Sequence, residues 1–98
     1  MHDHVYKLRM KFTLDENKRQ ANLKKHQLNF ADAEKVFAGD VLIFEDTRFD
    51  YGEQRWVAMG LLDVLLVIII HVESTVDTRI ISMRKAAKNE ISRFRRLR

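Results

Sequence analysis

Val64-Leu65-Leu66-Val67-Ile68-Ile69-Ile70 is an unbroken apolar run between Asp63 and His71, and its reading decides the fold. A helix that crosses a bilayer needs roughly 20 apolar residues, so this run is far too short to span one. Its β-branched content suits an extended strand. With no polar alternation, that strand is expected to be buried on both faces. The chain is therefore built around a sheet, with Val64 to Val72 inside it.

Upstream, Arg55 to Leu61 sets Trp56, Ala58 and Gly60 against Arg55, Val57 and Met59, the alternation of a strand. Leu62 and Asp63 make the tight turn between the two. Val41 to Glu45 is an earlier strand, across an acidic and aromatic loop from Asp46 to Glu53. Thr78 to Met83 is a fourth. Strands joined by hairpins predict an antiparallel meander. Two helices are expected before it. One covers Glu16 to His26, started by a capping box of Thr13 with Glu16, or by Asp15. The other covers about Ala31 to Ala38, capped by Asn29 and stopped by Gly39. Lys11 to Leu14 fits a short edge strand, and Met1 to Arg9 an arm. From Lys85 the chain reads as a helix, with Ala87, Ile91 and Phe94 at helical spacing. The expectation is a single α+β domain over residues 1–98, with two N-terminal helices, about four strands and a C-terminal helix. The helices are placed on one face of the sheet.

Composition narrows the function. The chain has 98 residues and no cysteine, which excludes a disulfide and any Cys-based metal site. A cytoplasmic location is expected, because nothing calls for an oxidising compartment and Met1 to Lys11 has no apolar signal-peptide core. His2-Asp3-His4 resembles a metal-binding triplet, but on an arm it is weak, and no metal or other cofactor is assigned. The net charge of +4 hides a segregation. Residues 1–25 carry seven bases and three acids, residues 26–78 three and ten, and residues 79–98 eight and one. Two basic segments flanking an acidic middle suggest contact with nucleic acid or an acidic protein. Ordinary solvated Lys and Arg are the plainer alternative.

The pattern Asp15-x-x-Lys18-x-x-x-Asn22-x-x-Lys25-His26-x-Leu28-x-Phe30-x-x-Ala33-x-x-Val36-Phe37 resembles the N-terminal half of the BrnT toxins. Gly52-Glu53-x-Arg55 and Arg79-Ile80-Ile81-Ser82-x-Arg84-Lys85-Ala86 resemble their central and C-terminal signatures. The likeness covers about Phe12 to Phe94, departing from the usual family residues at Leu14, Met83 and Phe94. It implies a RelE-like fold and a type II toxin of bacteria. It further implies ribonuclease activity that stops translation, and neutralisation by a cognate BrnA-like antitoxin that binds operator DNA. RNA and the antitoxin are then the expected partners, with operator DNA reached through the antitoxin and no membrane. A homodimer through the exposed side of the meander stays open. So does a non-catalytic or degenerate binding module on the same fold.

RNA cleavage without a metal needs a base for the 2′-hydroxyl, a cation for the phosphorane and an acid for the leaving 5′-oxygen. Arg55, Arg79 and Arg84 are the candidate cations, since a guanidinium fork fits phosphate oxygens. The plain alternative for Arg55 is a pair with Glu53 or Glu45; for Arg79 and Arg84 it is an ion pair with the acidic middle. Arg79 and Arg84 have odd spacing, so both reach one substrate only if a bulge or the strand end re-aims Arg84. His26 is the acid–base candidate, with helix-end packing as the alternative. His71 reads as a core-edge histidine. Glu53 reads as a base or as the partner of Arg55, and Glu90 as an intrahelix partner of Arg93. Lys25, Lys85, Lys88, Arg95 and Arg96 are expected to touch phosphates without reading sequence.

Overall fold

The computed structural model describes residues 11–98. The expected arm and the His2-Asp3-His4 triplet lie outside the described residues. Five strands form one mixed sheet: β1 (Phe12–Leu14), β2 (Val41–Asp46), β3 (Arg55–Leu62), β4 (Leu65–Glu73) and β5 (Thr78–Lys85). Their order is β1-β5-β4-β3-β2. The strands from β2 to β5 are the expected meander. The expected edge strand is β1, which joins the same sheet by pairing with β5 in parallel, Phe12 to Thr78 and Leu14 to Ile80.

The helices are α1 (Glu16–His26), α2 (Ala33–Phe37) and α3 (Lys88–Leu97), with a 3-10 turn at Phe30–Asp32 before α2. Asp15 starts α1, its side chain accepting from the Lys18 N–H. Thr13 is no cap: it lies in β1, and its hydroxyl donates to Asp77 at 3.0 Å. Gln27 closes α1 in the left-handed region at φ 61°. The expected second helix shrinks to that turn and five residues. Asn29 does cap it, accepting from the Ala31 N–H, and Phe30 turns into the core, 1% exposed.

Helices cover both faces of the sheet, not one. Leu28, Phe30, Ala33, Val36 and Phe37 pack with Ala58, Val67, Ile69, Ile80 and Met83 on one face. Phe94, with Ile91 and Ala86, packs with Val57, Met59, Leu66, Ile68 and Ile70 on the other. A strand buried on both sides requires a layer on each. The approach of α2 is close, since a Cβ at Gly60 would lie 2.7 Å from a Val36 methyl and 2.8 Å from a Val41 methyl. The β3–β4 turn is Asp63-Val64, one residue later than expected, with Asp63 at φ 54°. β5 runs on to Lys85, so the helix expected from there begins at Lys88. Leu14, Met83 and Phe94 are all packed into the two cores.

Candidate functional site

The site arises from a fault in the β5 register. Ile80 pairs with His71 and Ser82 with Ile70, so Ile81 is an extra residue in β5. A bulge of this kind bends the strand and re-aims the side chains beyond it. Ile80 and Met83, three residues apart, therefore both enter the α1–α2 core. Arg79 and Arg84, five apart, are both left on the α3 face, and Arg55 joins them because it alternates in phase with Val57.

That face is divided. α3 covers the part near the β3–β4 turn, and the loop between β2 and β3 reaches over the far part. Between them lies a cleft of about 380 Å³. Val57, Met59, Ile68 and Ile70 are among its apolar lining, with Arg48, Arg84 and Arg93 also on its walls.

At the far part the structure joins Arg55 and Arg79. They sit on β3 and β5, two strands apart, roughly 10 Å between backbones. Glu53 bridges the gap. Arg79 Nη2 donates to Glu53 Oε1 at 2.9 Å, and Arg55 Nε lies 3.8 Å from Glu53 Oε2. The Arg55 guanidinium is stacked over the Tyr51 ring at 4.1 Å. Its Nε is shut off from solvent and has no hydrogen-bond partner among the described residues. Glu53 Oε2, 3.8 Å away, compensates its charge without completing a hydrogen bond. The side chains of Arg79 and Glu53 remain 42% and 36% exposed, so the group opens to solvent.

Arg84 shares the face but is engaged elsewhere. Its two terminal nitrogens donate to the two oxygens of Glu90, both at 2.8 Å. Glu90 also accepts from the Ala87 N–H at 2.8 Å, so it caps α3. The hydrogen bond from Arg84 holds the Glu90 carboxyl below its usual range, and the Arg84 pKa is raised in return. The expected Glu90–Arg93 pair is replaced: Arg93 stacks over Phe44 at 4.5 Å.

His26 ends α1, away from the arginines, and makes no side-chain hydrogen bond among the described residues. Lys25 precedes it there. Lys85, Lys88, Arg95 and Arg96 are exposed at the end of β5 and along α3. His71 is fully buried, edge-on to Phe37 at 5.1 Å, and burial pushes its pKa down to about 4. It faces the α1–α2 core, on the side of the sheet opposite the arginines.

Sequence reasoning missed how much the β2–β3 loop contributes. Asp46 is its anchor. It accepts from Arg48 Nε and Nη2, each at 2.9 Å, and from the Tyr51 hydroxyl at 3.2 Å. The Arg48 guanidinium holds its pKa down to about 2. The Glu53–Arg55 pair was legible in Gly52-Glu53-x-Arg55 and is present; the anchoring of Asp46 to Arg48 and Tyr51 was not.

Fold and site together define a small α+β protein with arginines gathered on one face of its sheet. Residues 14–90 match the model of the ribonuclease toxin, BrnT, of type II toxin–antitoxin systems, and the chain belongs to that family. A type II toxin has an antitoxin as its partner. A search of curated proteins found no match.

Proposed function

We propose that this toxin is a metal-independent endoribonuclease, RelE-like in fold, that arrests translation until a BrnA-like antitoxin covers it. The observation that carries the reading is one carboxylate, Glu53, shared by two arginines on an open sheet face. In this reading Glu53 takes the 2′-hydroxyl proton of the RNA as the 2′-oxygen bonds to phosphorus. Arg55 and Arg79, once Glu53 moves off them, hold the phosphorane oxygens as charge develops there. The bond from phosphorus to the 5′-oxygen breaks, and that oxygen takes a proton from water. A 2′,3′-cyclic phosphate and a 5′-hydroxyl result. Glu53 leaves Arg79 to do this at small cost, because an exposed ion pair is worth about 0–1 kcal/mol. Lys25, Lys85, Lys88, Arg95 and Arg96 add phosphate contacts. Arg84 holds α3 to β5, and His26 stays outside the reacting group.

The test is cleavage of a defined RNA by the antitoxin-free protein in EDTA, beside Arg79→Ala and Glu53→Gln. Cleavage lost in both variants, with cyclic phosphate ends from the parent protein, is the expected result. Equal cleavage by parent and variants would remove these residues from the chemistry. RNA binding with no cleavage, even with ribosomes added, would make the chain a binding module.

A further inference from the structure

The β2–β3 loop carries an aromatic chain that the cleavage chemistry does not use. Phe49 is 70% exposed at its tip. Its ring lies 5.9 Å from that of Tyr51, edge to face at 76°. Tyr51 in turn lies under the Arg55 guanidinium. An unbroken line of contacts therefore runs from an exposed ring to the Arg55 guanidinium, and through Glu53 to Arg79.

The loop holds this ring in place. Asp46, 6% exposed, ties down both Arg48 and Tyr51. The Gly52 N–H donates to Asp50 at 3.0 Å, with Gly52 at φ 74°. Each acid of the loop is thus engaged within it: Asp46 with Arg48, Asp50 with Gly52, Glu53 with the two arginines. Two of the three carboxylates are paired with guanidinium groups, and Asp50 alone keeps its negative charge uncompensated among the described residues. A lone exposed apolar side chain needs no explanation. An exposed ring coupled through a second ring to a guanidinium, beside a group suited to phosphate, has the components of a single-strand nucleic-acid site. There, bases stack on aromatic faces while arginines hold the backbone.

We infer that Phe49 is a stacking platform for one base of single-stranded RNA, next to the phosphate held by Arg55 and Arg79. The inference rests on the ribonuclease reading and adds the substrate class: an unpaired stretch with a splayed base, not a duplex. Stacking is sequence-tolerant, because every base offers a π face. Phe49 therefore contributes affinity and strand state, while the neighbouring cleft is free to set sequence preference.

The test uses the full chain and a 2′-O-methyl RNA oligonucleotide, which lacks the attacking hydroxyl and cannot be cleaved. Affinity is measured against salt for the parent, Phe49→Ala and Phe49→Trp. Phe49→Ala is expected to bind about tenfold more weakly, the typical loss for one stacked base. Its slope of log affinity against log salt should match the parent's, because no phosphate contact is lost. Phe49→Trp should restore binding. A duplex of the same sequence should not distinguish Phe49→Ala from the parent.

Parent-like affinity of Phe49→Ala for the single strand would overturn the inference. So would RNA binding that stays intact while antitoxin binding falls, which would make the ring a protein contact. The two readings fail separately. Phe49-dependent binding without cleavage of ordinary RNA removes the ribonuclease and keeps the platform. Cleavage with a KM unaffected by Phe49→Ala does the reverse.

Discussion

The side chain of Asn22 and the backbone of Met83 exchange two hydrogen bonds. Asn22 Nδ2 donates to the Met83 carbonyl at 2.8 Å, and the Met83 N–H donates to Asn22 Oδ1 at 3.2 Å. The amide thus acts as one more residue of strand beyond Leu14, where β1 ends and the β5 edge would otherwise be open. Asn22 Nδ2 also donates to the Leu28 carbonyl at 3.1 Å, fixing the chain that leaves α1. Asn22→Ala strands three buried backbone groups at once. Each unsatisfied group costs roughly 1–3 kcal/mol, and partial relaxation brings the expected loss to about 2–4 kcal/mol. Urea unfolding measures it, and a change within the error of the parent would show that the sheet edge tolerates water.

This pairing also marks where the chain was and was not legible. Asn22 shares an i, i+4, i+8 stripe of α1 with Lys18 and His26, and nothing local distinguishes it from a solvated polar residue. Its partner lies 61 residues away. β1 was legible as a short edge strand from Lys11 to Leu14, but its parallel pairing with β5 was hidden for the same reason, because that partner is distant in sequence. The apolar run from Val64, by contrast, is explicit, and it carried a consequence that one-sided helix placement ignored. A strand buried on both faces needs two covering layers, and α3 supplies the second. The odd spacing of Arg79 and Arg84 likewise demanded a bulge before both could share a face, and Ile81 is that bulge. The division of labour among the arginines stayed out of reach, because it depends on the acid each one meets.

Asp46 is expected to control the order of the β2–β3 loop. Its carboxylate is buried, whereas Arg48, its main partner, is 64% exposed. Asp46→Ala removes the acceptor for Arg48 and Tyr51 and frees the segment that carries Phe49. The expected loss of global stability is modest, about 1–2 kcal/mol. Limited proteolysis between Asp46 and Gly52 should accelerate much more than global unfolding predicts. The pH dependence comes from the lowered pKa of Asp46, about 2 against 3.8. The charged form stabilises the fold above pH 4, and that contribution is lost as pH falls from 4 towards 2. A loop equally resistant in the variant would show that Tyr51 and Arg55 hold it alone.

His71 gives a different pH signature. Neither ring nitrogen has a hydrogen-bond partner among the described residues, and the Glu73 carboxylate lies 3.5 Å from Nδ1. Burial lowers the folded pKa to about 4 from 6.5, so the unfolded chain binds the proton more tightly. Stability therefore falls as pH drops from 6.5 towards 4 and is unaffected by this group above that window. The shift sets an upper bound of about 3 kcal/mol on the loss. His71→Leu replaces an unpaired polar ring with an apolar side chain in an apolar site. It is expected to equal or exceed the parent in stability at pH 7 and to flatten the curve between pH 6.5 and 4. A variant with the parent's slope would assign the slope to another group.

The arginines should separate by the property each variant loses. Arg84 grips the carboxylate that also caps α3, so Arg84→Ala should cost stability, roughly 1 kcal/mol for a partly exposed two-point pair. RNA cleavage by that variant should fall less than about threefold once the folded fraction is accounted for. Glu90→Ala should be at least as destabilising, because the Ala87 N–H loses its acceptor too. The double variant should lose less than the two single losses combined, the mark of a shared contact. Arg79→Ala should show the opposite profile, whereas Arg55→Ala should lose cleavage and also some stability, because its guanidinium stacks on Tyr51. Arg79 pairs with an exposed acid, Glu53, so its removal should barely move the unfolding midpoint while cleavage falls by about a hundredfold or more, as removal of one oxyanion donor does. His26→Ala should leave both readouts near the parent's. If Arg84→Ala instead abolishes cleavage at full stability, then Glu90 releases Arg84 during the reaction, and the cleft beside α3 becomes the place where the phosphate is held.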